Sequence, residues 1–318
     1  MASTQAKPLN AVAWFALQAT IFFSIAIAVL WTALNFYPGL AILPFAYGVK
    51  NSPFCTTWQA VRDGAVKIRQ DELAAEIRAK TRLVRKEPGY KLWSTPDGEY
   101  WVPDTSDEII NILLAQQKRK IYGDAETGGV KAGDIVLDGG AHVGTYVKTA
   151  LDAGAAKVIA IEPSPEAIEC LRRNFVKEVA SGRVIIYPKG IWDEEKRLIF
   201  YSNGNGAAGD SFVEHVPGSR VIADIPVTTV DKMVAELALP RVDIIKADIK
   251  GAAGRMVAGG ENTIRSFHPR IVISMEEGSE DPEAVRAAIM KIVPNYRFRG
   301  GPCLFTGTEI VSDTIFFQ

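Results

Sequence analysis

The sequence predicts an α/β fold: a mainly parallel, doubly wound, Rossmann-like sheet closed by a terminal antiparallel hairpin and preceded by a transmembrane helix. Three observations predict it. Asp134–Glu162, DIVLDGGAHVGTYVKTALDAGAAKVIAIE, reads as strand, glycine-rich turn, helix and strand, with an acidic residue closing each strand. From there to the C-terminus, short apolar runs alternate with segments of helical spacing, as parallel strands joined by crossover helices do. Near the N-terminus, no charged residue occurs between Lys7 and Lys50.

Within that uncharged region Ala11–Leu34 is long enough, at ~1.5 Å per residue, to cross a hydrocarbon core. A cleaved signal peptide has an apolar stretch of roughly 7–15 residues behind a basic leader. Here the stretch is longer, and Lys7 is the leader's one charged side chain. Trp14 and Trp31 stand near the two ends, as interfacial aromatics do. Pro38, Gly39 and Pro44 break up Phe36–Val49, which reads as interfacial, so residues 1–50 form a membrane anchor. Lys50, Arg62, Lys67 and Arg69 follow the span and Lys7 alone precedes it, which puts the C-terminal domain of a single-pass protein in the cytoplasm.

Residues 51–88 read as a charged helical stalk. Trp58, Val61, Ala65 and Ile68 recur at helical spacing, and basic residues crowd towards Lys86. Such a helix lies on anionic headgroups, packs on a partner or is a solvated connector. Residues 89–318 form the main domain. Tyr90–Trp93 and Glu99–Val102 flank Ser94-Thr95-Pro96-Asp97-Gly98, a hairpin signal. Thr105 and Glu108 make a capping box for a helix through Ile109, Ile112 and Leu113.

In the Asp134–Glu162 unit, glycines let a ligand approach the backbone, the helix N-terminus offers free N–H groups, and Glu162 can accept from ribose hydroxyls. The alternative is a tight core turn with no ligand. No placement of Gly139, Gly140 and Gly144 satisfies the dinucleotide spacing G-x-G-x-x-G, which disfavours a NAD-dependent oxidoreductase. The spacing Asp138-x-Gly140-x-His142-x-Gly144 resembles instead the acidic-x-G-x-G-x-G loop of S-adenosylmethionine (SAM) dependent methyltransferases, with His142 at the middle glycine.

Ser164 and Pro165 then start a helix carrying Ile168, Leu171 and Phe175, and Arg183–Tyr187 is the next strand. The turn from Pro188 to Asp193 lies where an adenine can be held. Arg197–Ser202 and Arg220–Thr228 read as strands around the glycine-rich stretch Asn203–Asp210, a lid or an idle surface loop. Thr228 and Asp231 cap a helix, Val242–Ala247 and Arg270–Met275 are strands, and Met256, Val257 and Ile264 mark the helix between them. Asp281-Pro282-Glu283 opens the last helix, and Tyr296–Arg299 with Val311–Phe317 supply the terminal strands.

The stretches Asp134–Gly144, Ala160–Pro165, Gly190–Asp193, Val227–Asp231 and Asp243–Gly251, in this order, resemble the FkbM family of class I SAM-dependent methyltransferases, mostly O-methyltransferases of sugars and natural products. The resemblance runs from about Tyr90 to the C-terminus. It implies that Asp138, Gly140, His142 and Gly144 form the SAM loop, that Glu162 binds ribose, and that Ile191 and Trp192 border the adenine. It also implies that Asp248 faces the methyl-transfer site. Where the family usually has D-x-E-G, this chain has Asp248-Ile249-Lys250-Gly251. Asp248 is therefore the candidate base or acceptor ligand, and Lys250 a candidate base of lowered pKa or an anchor for an anionic acceptor. A divalent ion shared by Asp248 and Glu276, and His215 as base, are weaker candidates.

The expected function is membrane-anchored methylation of a small-molecule or lipid-linked hydroxyl. Its rival is a catalytically inactive subunit that keeps SAM-site geometry and joins integral membrane protein partners. Lys and Arg total 36 against 37 Asp and Glu, a net charge of −1, which speaks against a nucleic-acid partner. Cys55, Cys170 and Cys303 are three, scattered and without a C-x-x-C, so neither a disulfide framework nor a zinc site is suggested and a reducing compartment fits.

Overall fold

The computed structural model describes residues 11–37, 40, 50–51, 53–106, 109–202, 210–213, 218–275, 280–305 and 309–318. Most of the interfacial segment Phe36–Val49, Glu108 of the capping box, Asn203–Gly209 of the glycine-rich loop, His215 and Glu276 lie outside the described residues.

Helix α1 (Ala11–Phe36) carries no charged residue and exposes Phe15, Phe22, Phe23 and Ile27 to more than half of their surface. It is long and apolar enough to cross a bilayer. After β1 (Lys50–Asn51), helix α2 (Thr57–Lys80) starts at a capping box: Gln59 N–H donates to Thr56 Oγ1 at 3.2 Å, and Thr56 N–H to Gln59 Oε1 at 2.7 Å. α2 is not a solvated stalk, because Ala60, Val61, Gln70 and Ile77 are buried. Nor does it run to Lys86. Thr81 takes an extended conformation, its hydroxyl bonds to Ile77 O, and β2 (Arg82–Glu87) leaves the helix to pair antiparallel with β3 (Tyr90–Thr95). A ladder of backbone bonds thus overrides the charged helical pattern of those six residues. β4 (Gly98–Pro103) completes this small sheet as the expected hairpin.

Helix α3 (Ile109–Lys118) leads to the central unit: β5 (Ile135–Gly139), α4 (Thr145–Asp152) and β6 (Lys157–Ile161). Helices α5 (Pro165–Asn174) and α6 (Val176–Ala180) precede β7 (Val184–Tyr187), and β8 (Gly190–Ile191), β9 (Lys196–Ser202) and β10 (Arg220–Thr228) make a separate three-stranded sheet. Then come α7 (Val230–Glu236), β11 (Ile244–Ala247), α8 (Ala253–Gly259), α9 (Glu261–Phe267), β12 (Arg270–Ser274) and α10 (Pro282–Ile292). The chain closes with β13 (Phe298–Gly300), β14 (Cys303–Phe305), β15 (Glu309–Ser312) and β16 (Thr314–Phe317). Thr229, not Thr228, caps α7 by accepting from Lys232 N–H, and Asp231 accepts from Asn262 and Thr263 N–H at the start of α9.

The main sheet has the order β13-β16-β12-β11-β5-β6-β7. The run from β12 to β7 is parallel, and β16 is antiparallel to both of its neighbours. Alternating residues of these strands are buried on both faces. Leu137, Ile159, Ile245 and Ile271 pack towards α7–α10, and Val136, Val158, Ile244 and Val272 towards α4 and α5. Strand order reverses between β5 and β11, and a crevice opens there at the C-terminal strand ends.

One expectation is overturned. Cys55 and Cys303, both buried, form a disulfide with Cα atoms 5.7 Å apart, and Cys170 alone is a free thiol. A separation of 248 residues gave no signal in the sequence. The bond is reinforced by Cys303 N–H donating to Asp63 Oδ2 at 3.0 Å and by Ala60 and Ile310 packed around it. Together with parallel pairing of β1 on β15, it fastens the chain just after α1 to the C-terminal strands. Removing it by Cys303→Ser should cost roughly 2–5 kcal/mol, since the closed loop is long. Denaturant unfolding of oxidised, reduced and Cys303→Ser protein measures this, and equal midpoints would show that packing alone holds the junction.

Candidate functional site

The crevice is a cavity of about 250 Å³ where β5, β6, β8 and β11 end. Gly140 forms its floor in a left-handed conformation, φ +73°, and a Cβ there would overlap the Asp248 carbonyl oxygen. Gly144, φ +93°, serves packing instead, since its Cβ would overlap the Phe175 ring. His142 between them also has positive φ, +50°, a conformation that disfavours side chains by roughly 1–2 kcal/mol.

Glu162 holds this loop. His142 N–H donates to Glu162 Oε2 at 2.7 Å and Ser164 N–H to Oε1 at 2.9 Å. Burial nevertheless outweighs these two bonds and pushes the Glu162 carboxyl up to about 7. The His142 ring lines the cavity with both nitrogens buried and no hydrogen-bond partner among the described residues. Burial first, with Lys246 nearby, lowers it to about 4, so the imidazole is neutral at neutral pH.

Beneath the loop lies Lys246, 3 % exposed in the middle of β11. Its Nζ is 2.9 Å from Asp138 Oδ1, donates to Gly140 O at 3.0 Å and Gly139 O at 3.2 Å, and faces the rings of Tyr122 and Tyr146 at 5.2 and 5.6 Å. Asp138 is fully buried, and burial outweighs Lys246 to raise its carboxyl. The contact is thus a close ion pair without the alignment of a strong hydrogen bond.

Above Lys246, Tyr122 Oη donates to Asp248 Oδ2 at 2.9 Å. Burial alone would raise Asp248, but Lys250, Lys246 and the Tyr122 hydroxyl outweigh it and hold the carboxyl below the usual carboxylate range. Lys250 follows in a left-handed conformation, φ +34°, at the cavity wall.

Of the residues expected at the site, Gly140, His142, Glu162, Ile191, Asp248 and Lys250 line the cavity. Asp138, Gly144 and Trp192 do not. Asp138 acts through Lys246, and Trp192 is buried against Val227 and Ala252 with Lys196 and Arg255 over its ring. Lys246, Tyr122 and Asp210 line the cavity and were not anticipated. For Lys246 a signal existed, a lysine inside the apolar strand Ile244-Ile245-Lys246-Ala247. Tyr122 and Asp210 sit in irregular segments that carry none. Among the described residues, no three His, Cys, Asp or Glu side chains are grouped to hold a metal ion.

Two predictions follow from this electrostatic layout. Lys246→Met leaves Asp138 buried without a counter-charge and should cost about 3–5 kcal/mol, much of it recovered by adding Asp138→Asn. Additive losses in urea unfolding would show that the two side chains act separately. For Glu162, burial raises the folded-state value from 4.5 to about 7. Its contribution to stability is therefore full below about 4.5 and lost as pH rises through 7. Wild type should lose stability relative to Glu162→Gln across that window. His142, which acts in the opposite sense, is common to both proteins and cancels in the difference. A pH-independent difference would contradict the assignment.

Comparison with known proteins comes out consistently. No curated protein sequence matches the chain. Among solved structures, it is similar to an FkbM methyltransferase from Methylobacillus flagellatus KT, at 15% identity and TM-score 0.43, over 82% of this chain and 62% of that one. It is also similar to a precorrin-6y C5,15-methyltransferase from Geobacter metallireducens GS-15, at 12% identity and TM-score 0.35, over 66% of this chain and 85% of that one. The chain thus spans less than two thirds of the Methylobacillus protein's length. The family model for the methyltransferase FkbM domain matches residues 138–299, a little over half of the sequence and a span that runs from the glycine loop past Lys250. On that match, the chain belongs to the FkbM methyltransferase family.

Proposed function

We propose that the protein is a SAM-dependent methyltransferase, held at a membrane by α1, that methylates a hydroxyl group on an anionic small-molecule or lipid-linked acceptor. The observation that carries this reading is the convergence, in one cavity, of a glycine cradle, unpartnered polar atoms and an ionised aspartate. The His142 ring and Tyr146 hydroxyl, which line the cavity without hydrogen-bond partners among the described residues, fit a large polar ligand such as SAM. The N-terminus of α4, with Thr145 and Tyr146 at the cavity, would hold the carboxylate of its methionine end. Glu162 would accept from the ribose hydroxyls with its remaining lone pairs, and Ile191 would border the adenine.

When bound, SAM supplies an electrophilic methyl group on a sulfonium. The chain's own task is alignment and proton removal. Asp248, ionised and steadied by Tyr122, would accept a hydrogen bond from the acceptor hydroxyl and take up its proton. A carboxyl held below its usual range is a weak base, so Asp248 contributes more by orientation than by proton affinity. Lys250, where the family usually has glutamate, supplies positive charge at the same wall and favours an anionic acceptor.

The same substitution favours a second reading, a subunit that keeps the site but not the transfer. With tritiated SAM and membrane or cytosolic extracts, the transferase reading expects wild-type transfer that Lys250→Glu loses while SAM affinity is kept. Wild-type protein that binds SAM, transfers to nothing and copurifies with integral membrane proteins would establish the second reading instead.

For orientation, basic residues after the span favour a cytoplasmic domain, where SAM would be at hand. The Cys55–Cys303 disulfide favours the opposite side, since the cytoplasm keeps thiols reduced. A cytoplasmic domain would therefore carry this pair as a dithiol that closes on oxidation. Alkylating intact cells before lysis decides it: two blocked thiols support the cytoplasmic placement, and a disulfide in every molecule reverses it.

A further inference from the structure

We infer that Asp210 is a specificity residue for the nucleoside end of the site and accepts a hydrogen bond from the exocyclic amino group of the adenine. The inference rests on the reading that the cavity binds SAM. Asp210 is the last residue of the glycine-rich stretch, is 9 % exposed and lines the cavity. Its Oδ1 is buried and has no hydrogen-bond partner among the described residues. Burying a carboxylate oxygen without a donor is costly unless a ligand brings one.

The segment carrying Asp210 is held in place. Ser211 and Tyr201 exchange two backbone bonds of 3.0 Å, and Ser211 Oγ donates to Lys250 O at 3.2 Å. The Phe212 ring rests on Gly190, where a Cβ would overlap it, and lies 4.6 Å from the Phe200 ring. Asp210 therefore projects from a fixed stretch that spans from β9 to the turn after β11.

Ligand chemistry selects the donor. Gly190, Ile191, Phe200 and Phe212 give this end apolar walls suited to a flat base. Adenosine offers two kinds of donor, the ribose hydroxyls and the 6-amino group. Glu162 is placed for the hydroxyls, which leaves the amino group and the orphaned Asp210 oxygen to each other. Asp193, two residues past β8, does not line the cavity, and its Oδ2 pairs with Arg255.

The test uses calorimetric binding of S-adenosylhomocysteine and of S-inosylhomocysteine, whose hypoxanthine carries an oxygen in place of the amino group. The full-length protein in mild detergent should prefer the adenine ligand by at least roughly tenfold. Asp210→Asn, whose amide can donate to that oxygen, should narrow or invert the ratio, and Asp210→Ala should abolish it. Glu162→Gln should weaken both ligands alike and leave the ratio in place. Equal wild-type affinities for the two ligands, or an unchanged ratio in Asp210→Asn, would overturn the inference while leaving the SAM reading intact. Wild-type protein that binds neither ligand would defeat both.

Discussion

The site depends on one buried ion pair. Lys246 enters from the middle of the central parallel sheet, where any unpaired charge is expensive, and it is tolerated because Asp138, two loop carbonyls and two tyrosine rings surround it. Its reward is geometric. With Gly139 O and Gly140 O drawn down onto the ammonium, the turn between β5 and α4 is fixed from below. Glu162 fixes the same turn from the side through His142 N–H. Two ionisable groups, Lys246 on β11 and Glu162 just past β6, thus flank β5 and hold the loop in a conformation that glycine alone merely permits.

That arrangement explains the unusual electrostatics above it. The cavity gathers carboxylates in opposite states: Asp248 is held ionised by two lysines and a tyrosine, while Glu162 and Asp210 are pushed up to about 7 and about 6, burial being the largest cause in both. Environments that drive like groups apart are what a site needs if one group is to handle protons and others are to wait for ligand donors. Hydroxyl and amino donors in the cavity would offset the burial of Glu162 and Asp210.

Much of this was legible in the sequence. The Asp134–Glu162 unit is read correctly because an apolar strand, a glycine turn and a helical stripe are each local signals that agree with one another. The sheet's alternation and its antiparallel last strand follow for the same reason. The misreadings share a cause, which is that pairing at long range leaves no local trace. Arg82–Glu87 looks helical until β3 is there to pair with it, Trp192 looks like an adenine neighbour until Val227 and Ala252 bury it, and Cys55 meets Cys303 across nearly the whole chain. Lys246 stands between these classes. A lysine in a four-residue buried strand is a visible anomaly, but its partner Asp138 was assigned directly to the ligand, although it acts one layer below.

The same long-range contacts connect the residues after α1 to the cavity. The disulfide and the β1–β15 pairing attach the residues after α1 to the C-terminal strands, and α2 then lies along α3. The Thr81 hydroxyl at the end of α2 lies 3.0 Å from Asn111 Oδ1 of α3, and Arg119 just beyond α3 reaches back to Gln70. Ile109, Ile112, Leu113 and Gln116 of α3 form one wall of the cavity. A continuous packed path therefore runs from the residues around Cys55 through α2 and α3 to the cavity wall. The segment that reads in sequence as a connector is, in the folded chain, part of the support of the site.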